Sequence, residues 1–155
     1  MTTKLHFIAD TKIAPKSTEE ETRVTGVLKQ LFSQFNSRVG FAELIRPHIT
    51  GSRGGMKAKV LSWAVERGSR YSRIHMHIVL QITHNGKFSL TSEIDGLNIT
   101  PRFKDWLMER LPWLKPNSEY TREHTTPYVR VNLADSSAEN YTTKNRDDGD
   151  DTDSD

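Results

Sequence analysis

Apolar residues near the start of the chain form one strand-like run followed by one helical stripe. Residues 4–9 are a short apolar run of strand length. Ser17 and Glu20, which follow Pro15, have the spacing of a capping box, so a helix is expected to begin there. The next large apolar residues recur with helical period, which places them on one helix face. They are Val24, Val27, Leu28, Leu31, Phe32 and Phe35.

Two long segments in the middle of the chain are rich in residues that favour strands. Residues 59–66 and 74–82 have this composition, and a polar loop at 67–73 separates them. Because strands joined by a short loop usually pair with each other, the pattern predicts an antiparallel hairpin. Asn85-Gly86 indicates a further tight turn into a short strand at 87–90.

The second half of the chain adds two helices and one strand. Thr100-Pro101 is expected to begin a helix that Pro112 ends. Residues 128–133 alternate as a strand does, and Ser136-x-x-Glu139 predicts a last helix. The whole order predicts an α+β fold, with an antiparallel β-sheet of ferredoxin-like or RRM-like (split β-α-β) topology and helices packed on the sheet.

Length and composition narrow the class of protein. A chain of 155 residues with 34% apolar and 27% charged residues suits one domain, which we expect at 1–146. There is no apolar run long enough for a membrane span and no secretory signal at the start, so an intracellular location is expected. The absence of cysteine excludes disulfides, zinc ribbons and thiol nucleophiles. A metal site would therefore have to use His, Asp or Glu.

Charge is distributed unevenly along the chain. Six of the 20 acidic residues lie in 147–155, an acidic tail without apolar residues that is expected to be disordered. With 22 basic and 14 acidic residues, 1–146 carry a net charge of +8. A basic body of this kind favours a polyanionic partner, and nucleic acid is the leading class.

His75-Met76-His77 places two imidazoles at alternate positions of the predicted hairpin. Alternate residues of a strand point to the same face, so both rings could converge on one ion while Met76 points away. Glu66 ends the neighbouring strand and is expected close to His75 or His77. Two imidazoles and one carboxylate suit Mn²⁺ or Mg²⁺ in phosphate chemistry, with zinc still open. The alternative is that both histidines only line a half-polar strand face.

Tyr141 and Lys144 are three residues apart on the last predicted helix, and so lie on one helix face. A tyrosine beside a lysine can serve as an oxygen nucleophile whose phenolate the cation stabilises. The alternative is a tyrosine packed at the edge of the core and a lysine paired with Asp147 or Asp148 at the surface.

Together, these motifs resemble the HUH endonuclease domain of rolling-circle replication initiators, in particular the Rep proteins of small circular single-stranded DNA viruses. The motifs concerned are His75-Met76-His77, Glu66 on the preceding strand and Tyr141-x-x-Lys144 on the later helix. Residues 5–11 do not match the first strand motif of that family. A G-x-x-x-x-G-K-[ST] loop is also absent, so these residues contain no helicase domain of the usual type.

The resemblance implies a metal-dependent transesterification. Glu66, His75 and His77 would bind the divalent ion, Tyr141 would attack the DNA backbone to form a 5′-phosphotyrosine, and Lys144 would orient the phosphate. The same site could then rejoin a new 3′ end, as ending a round of replication requires. A viral member of the family would act in the host nucleus.

The expected partner is single-stranded DNA or origin stem-loop DNA, with a homo-oligomer still open. DNA contacts are predicted from basic segments that flank the hairpin, with one tyrosine available to stack on a base. These residues are Arg46, Arg53, Lys57, Lys59, Arg67, Arg70, Tyr71 and Arg73. Two alternative functions stay open, a catalytically inactive HUH-like domain and an RRM-like nucleic-acid-binding module, although the latter normally has aromatic residues where His75 and His77 stand.

Overall fold

The computed structural model describes residues 2–33, 42–50, 57–69, 72–94, 96–111 and 127–134. The first elements are strand β1 (Thr2–Asp10), helices α1 (Thr18–Ser33) and α2 (Ala42–Ile45), a single 3₁₀ turn (Arg46–His48) and strand β2 (Ile49–Thr50). The remaining elements are β3 (Lys57–Arg67), β4 (Ile74–Thr83), β5 (Lys87–Phe88), β6 (Ser92–Glu93), β7 (Gly96–Leu97), α3 (Thr100–Arg110) and β8 (Tyr128–Leu133).

Four strands form the main sheet, in the order β3-β4-β1-β8, with every neighbouring pair antiparallel. With α1 between β1 and β3 and α3 between β4 and β8, this is a β-α-β-β-α-β arrangement. The predicted α+β class and the predicted hairpin are therefore confirmed. Of the short strand expected at 87–90, only β5 forms, and it pairs with β2 in a separate two-stranded sheet.

One face of the main sheet packs against the helices and forms the core. β1 contributes Leu5, Phe7 and Ala9 to this face, all at most 1% exposed. The Phe7 ring meets Phe103 of α3 edge-on, with ring centroids 4.9 Å apart. Edge-to-face aromatic contacts of this kind add to the stabilisation that burial provides. The opposite face of the sheet carries the polar residues, including both histidines of β4, and is called the polar face below.

Helix α1 begins as the capping box predicts. The Glu20 N–H donates to Ser17 Oγ at 3.1 Å, while the Glu20 carboxylate accepts the Lys16 N–H at 3.1 Å. Val24, Leu28 and Leu31 are buried, as the helical stripe predicts. The prediction for Val27 is wrong, because this residue lies at the margin of that stripe and is 37% exposed. The side chain of Phe32 and all of Phe35 lie outside the described residues.

Two local irregularities occur in the strands. The pairing of β3 with β4 shifts between Val60 and Ser62, so Leu61 is an extra residue at a β-bulge. Gly96 in β7 has a positive φ of 113°, and a Cβ there would lie 2.7 Å from the carbonyl oxygen of Val131. Only glycine fits this close approach to β8 without strain.

Candidate metal centre

Four titratable side chains lie in one row across the polar face or next to it. In the strand register, His75 lies opposite both Glu66 of β3 and Asp10 of β1, and His77 is two residues further along β4. Directly paired residues share a face of the sheet, so all four side chains lie on the same side. Each is buried, with exposed fractions of 7% for Asp10, 4% for Glu66, 6% for His75 and 8% for His77.

Glu66 and His77 form the first carboxylate–imidazole pair. Oε1 of Glu66 lies 3.3 Å from Nε2 of His77, and the Glu66 side chain has no exposed surface. Within the residues that the structure describes, neither carboxylate oxygen of Glu66 accepts a hydrogen bond. A buried carboxylate in this condition is costly unless a cation balances it. The pair therefore fits a site in which Glu66 and the Nε2 atom of His77 hold the same cation.

His6 of β1 lies on the other side of the His77 ring. Its Nε2 atom is 3.3 Å from Nδ1 of His77, and the ring centroids are 5.5 Å apart. If His77 Nδ1–H donates to His6, the Nε2 atom of His77 keeps its lone pair directed towards Glu66. Metal-binding histidines commonly have this arrangement, with one nitrogen hydrogen-bonded and the other binding the ion.

Asp10 and His75 form the second carboxylate–imidazole pair, with different surroundings. Oδ1 of Asp10 lies 4.0 Å from Nε2 of His75 and accepts the Lys12 N–H at 2.8 Å. Oδ2 of Asp10 is 2.6 Å from the Arg73 guanidinium and 3.8 Å from Lys12 Nζ. The Asp10 carboxylate is therefore balanced by positive charge already present in the chain.

The predicted set of three ligands is brought together only in part. Glu66 and His77 are in contact, whereas Nε2 of His75 lies beside Asp10. In the described part of the chain, no three His, Asp or Glu side chains converge on one point. His75 nevertheless lies on the same face as this pair and directly opposite Glu66 in the strand register.

Sequence reasoning missed His6 and Asp10. Both lie in β1, where His6, Ile8 and Asp10 alternate on the polar face, but their partners are about 70 residues away in β4. The alternation in β1 was a usable signal. It becomes informative only once the pairing of β1 with β4 is known.

The predicted DNA-binding residues fall into three groups. Arg46, Lys57 and Lys59 are exposed, and Lys59 lies on the polar face opposite Gln81. Arg67 and Arg73 are engaged with acidic side chains. Those that lie outside the described residues are Arg53, Arg70 and Tyr71, together with the predicted nucleophile Tyr141 and its neighbour Lys144.

Arg67 and Arg73 form ion pairs on opposite sides of the sheet. Arg67 ends β3 on the helix-covered face, where it donates to Glu21 of α1 at 2.9 Å and to the Pro15 carbonyl at 3.3 Å. Arg73 holds Asp10 on the polar face. Their predicted DNA contacts remain predictions, and both would have to share their guanidinium groups with these acidic partners or leave them.

His84 has a structural role at the end of β4. Its Nδ1–H donates to the Gly86 carbonyl at 2.7 Å, which leaves Nε2 to accept from the Thr3 hydroxyl at 3.0 Å. The ring is 3% exposed and both nitrogens are satisfied. Trp63 and Trp106 also contribute to packing, since Trp106 is buried and Trp63 packs against the core.

No family model, curated protein or solved structure matches the chain. Among the helices that the structure describes, none is both long and apolar enough to cross a membrane. The site must therefore be interpreted from its own geometry.

Proposed function

We propose that this chain is a metal-dependent endonuclease of the HUH type, which nicks and rejoins single-stranded DNA at a replication origin. The observation that carries the proposal is the buried Glu66 carboxylate, 3.3 Å from His77 and without a hydrogen bond in the described residues. It lies on the polar face of a ferredoxin-like sheet, in the row that contains His75. The basic body of the chain supports a polyanionic substrate.

In this proposal, Glu66 and His77 hold a divalent ion, with His75 as the third ligand and His6 fixing the His77 ring. The bound ion would polarise the scissile phosphate and offset the charge on its oxygens. Mn²⁺ and Mg²⁺ are the ions that suit this mixed set in phosphate chemistry.

Tyr141 is the proposed nucleophile, on the strength of its sequence motif. Its phenolic oxygen forms a bond to phosphorus, the bond from phosphorus to the 3′ oxygen breaks, and that oxygen leaves as a hydroxyl after taking a proton. The product is a 5′-phosphotyrosine with a free 3′ end. Lys144 would hold the phosphate during the attack. Because one diester bond replaces another, the step can run backwards and rejoin the strand.

The second candidate function is a catalytically inactive HUH-like or RRM-like module that only binds nucleic acid. The position of the His75 ring favours it, since its Nε2 atom lies 4.0 Å from Oδ1 of Asp10, a carboxylate outside the predicted ligand set. A chain of this kind would keep the fold and the basic surface and form no covalent link.

Incubation with labelled oligonucleotides distinguishes the two functions. The wild type, Tyr141→Phe and Tyr128→Phe would each be mixed with a pool of stem-loop and unstructured strands, with Mn²⁺ or with a chelator. Tyr128 is the matched control because it is a second tyrosine of the chain and lies on the polar face. We expect a metal-dependent nick and a protein–DNA adduct in the wild type and in Tyr128→Phe, and neither in Tyr141→Phe.

Other results would change the proposal in defined ways. Binding without any nick or adduct would favour the inactive module. A nick that survives in Tyr141→Phe without an adduct would indicate hydrolysis instead of transesterification.

A further inference from the structure

The edge strand β8 presents a column of polar side chains beside the candidate metal centre. Val129 and Val131 point into the core, while Tyr128, Arg130 and Asn132 alternate with them on the polar face. We call these three residues the β8 track. Tyr128 pairs with Asp10, which in turn lies opposite His75, so the track begins in the same row as the metal centre. Two strand spacings, roughly 10 Å, separate Tyr128 from His75 at the backbone.

Arg130 differs from the arginines of the β3–β4 hairpin in its partners. Arg67 and Arg73 each contact a carboxylate, at 2.9 and 2.6 Å. In the described residues, Arg130 contacts no acidic group, and its Nε–H donates to Asn132 Oδ1 at 3.3 Å. The amide holds the guanidinium without neutralising it, so its charge remains available to a phosphate.

Tyr128 is exposed to an unusual degree for an aromatic residue within a sheet. Its side chain is 46% exposed, and in the described residues it forms neither a hydrogen bond nor a ring contact. An exposed ring next to an arginine, on a flat sheet face, provides what an unpaired base and its phosphate require. In a duplex the bases are stacked on each other, so this surface suits a single strand.

We propose that the β8 track binds single-stranded DNA next to the metal centre, with Tyr128 stacked on a base and Arg130 against a backbone phosphate. The choice of DNA as the polymer rests on the proposed function. The β8 track adds a contact surface on the same polar face, at the sheet edge furthest from β3. The sequence predicted no DNA contact at this edge.

Fluorescence anisotropy with a labelled single-stranded oligonucleotide and chelator tests this directly, because no cleavage occurs. Tyr128→Ala should weaken binding roughly 5- to 150-fold, and Tyr128→Phe, which keeps the ring, should stay close to the wild type. The double-stranded form of the same sequence should bind these variants and the wild type alike.

Arg130→Gln should weaken binding and lower the slope of log affinity against log salt by about 0.7, the value for one phosphate contact on a single strand. Lys29→Gln is the matched control, because Lys29 is an exposed cation on α1, behind the opposite face of the sheet. Lys29→Gln should leave affinity for the labelled single-stranded oligonucleotide nearly unchanged. Circular dichroism confirms that each variant is folded.

The outcomes separate this inference from the proposed function. Wild-type binding that none of the β8 variants changes would overturn the inference alone. Weakened binding in Tyr128→Ala and Arg130→Gln, together with no adduct in Mn²⁺, would support the track and overturn the nicking function. Absence of any single-stranded DNA binding would overturn both.

Discussion

The two carboxylate–imidazole pairs on the polar face have the same composition but opposite electrostatic surroundings. Asp10 is held by the Arg73 guanidinium and by the Lys12 N–H, so the protein itself balances its charge. Glu66 is fully buried beside His77 and accepts no hydrogen bond in the described residues. We therefore propose that Asp10 stabilises the fold, whereas Glu66 binds a cation from solution.

Among the substitutions that test this difference, Glu66→Gln should have the largest effect on metal binding. We expect Mn²⁺ affinity, measured by titration calorimetry, to fall more than about 100-fold, since even outer partners of a metal ligand contribute about 10- to 100-fold. The metal-free variant should be more stable than the metal-free wild type, because an unbalanced buried carboxylate is removed. Mn²⁺ should raise the Tm of the wild type and not of the variant.

Glu21→Gln is the control for this change. Glu21 is a carboxylate on the other side of the sheet, paired with Arg67, and its removal should leave Mn²⁺ affinity unchanged. Equal Mn²⁺ affinity in the wild type and Glu66→Gln would show that the buried carboxylate is not a ligand.

His6→Phe should reduce Mn²⁺ affinity by about 10- to 100-fold, because the His77 ring loses the partner that fixes its orientation. His6→Gln should restore part of the affinity, since an amide oxygen can accept the same Nδ1–H. The measurement is Mn²⁺ titration followed by electron paramagnetic resonance. A loss of affinity that is as large in His6→Gln as in His6→Phe would indicate a packing role for His6 instead.

Asp10→Asn tests the second carboxylate–imidazole pair, which is expected to contribute to stability and not to metal binding. We expect a loss of about 2 kcal/mol in the free energy of unfolding, measured with urea, because the buried ion pair between Asp10 and Arg73 is removed. Mn²⁺ affinity should change little. Asp105→Asn, at an exposed position of α3, is the control and should change stability by less than about 0.5 kcal/mol. A large loss of Mn²⁺ affinity in Asp10→Asn would show that Asp10 is a ligand and that the two carboxylates do not differ in this role.

The smallest expected effect is on the pH dependence of stability and concerns His48, which lies away from both pairs. Burial, followed by the nearby Arg102 guanidinium, lowers the pKa of His48 from its ordinary value of 6.5. The unfolded chain therefore takes up this proton first as pH falls through 6.5, which favours unfolding. His48→Gln should lose less stability between pH 7 and pH 5 than the wild type. Arg102→Gln should raise the pKa of His48 in an NMR titration. An unchanged pKa would show that the Arg102 guanidinium does not contribute to the lowering.

The parts of the fold that follow from local pattern were predictable. Capping at Ser17, the period of α1 and the alternation of β4 each depend on residues within a few positions of one another. The same alternation placed His75 and His77 on one face. The loop then brought Glu66 opposite His75, as expected.

The rest of the site depends on long-range pairing that no local pattern specifies. His6 reaches His77 only because β1 inserts between β4 and β8, and the same pairing brings Asp10 to His75. His75 therefore has a carboxylate on each neighbouring strand, Asp10 on β1 and Glu66 on β3, whereas the hairpin alone predicted only Glu66.

Gly96 packs against the strand of the β8 track but would not itself contact DNA. A Cβ at Gly96 would lie 2.7 Å from the Val131 carbonyl oxygen and 3.1 Å from Cγ of Arg130, so any larger residue must change how β7 packs against the strand that carries the track. A genetic selection for impaired DNA binding would then recover alleles at codon 96 alongside those at codons 128 and 130. Such alleles would resemble contact mutants in phenotype while leaving every contacting side chain intact.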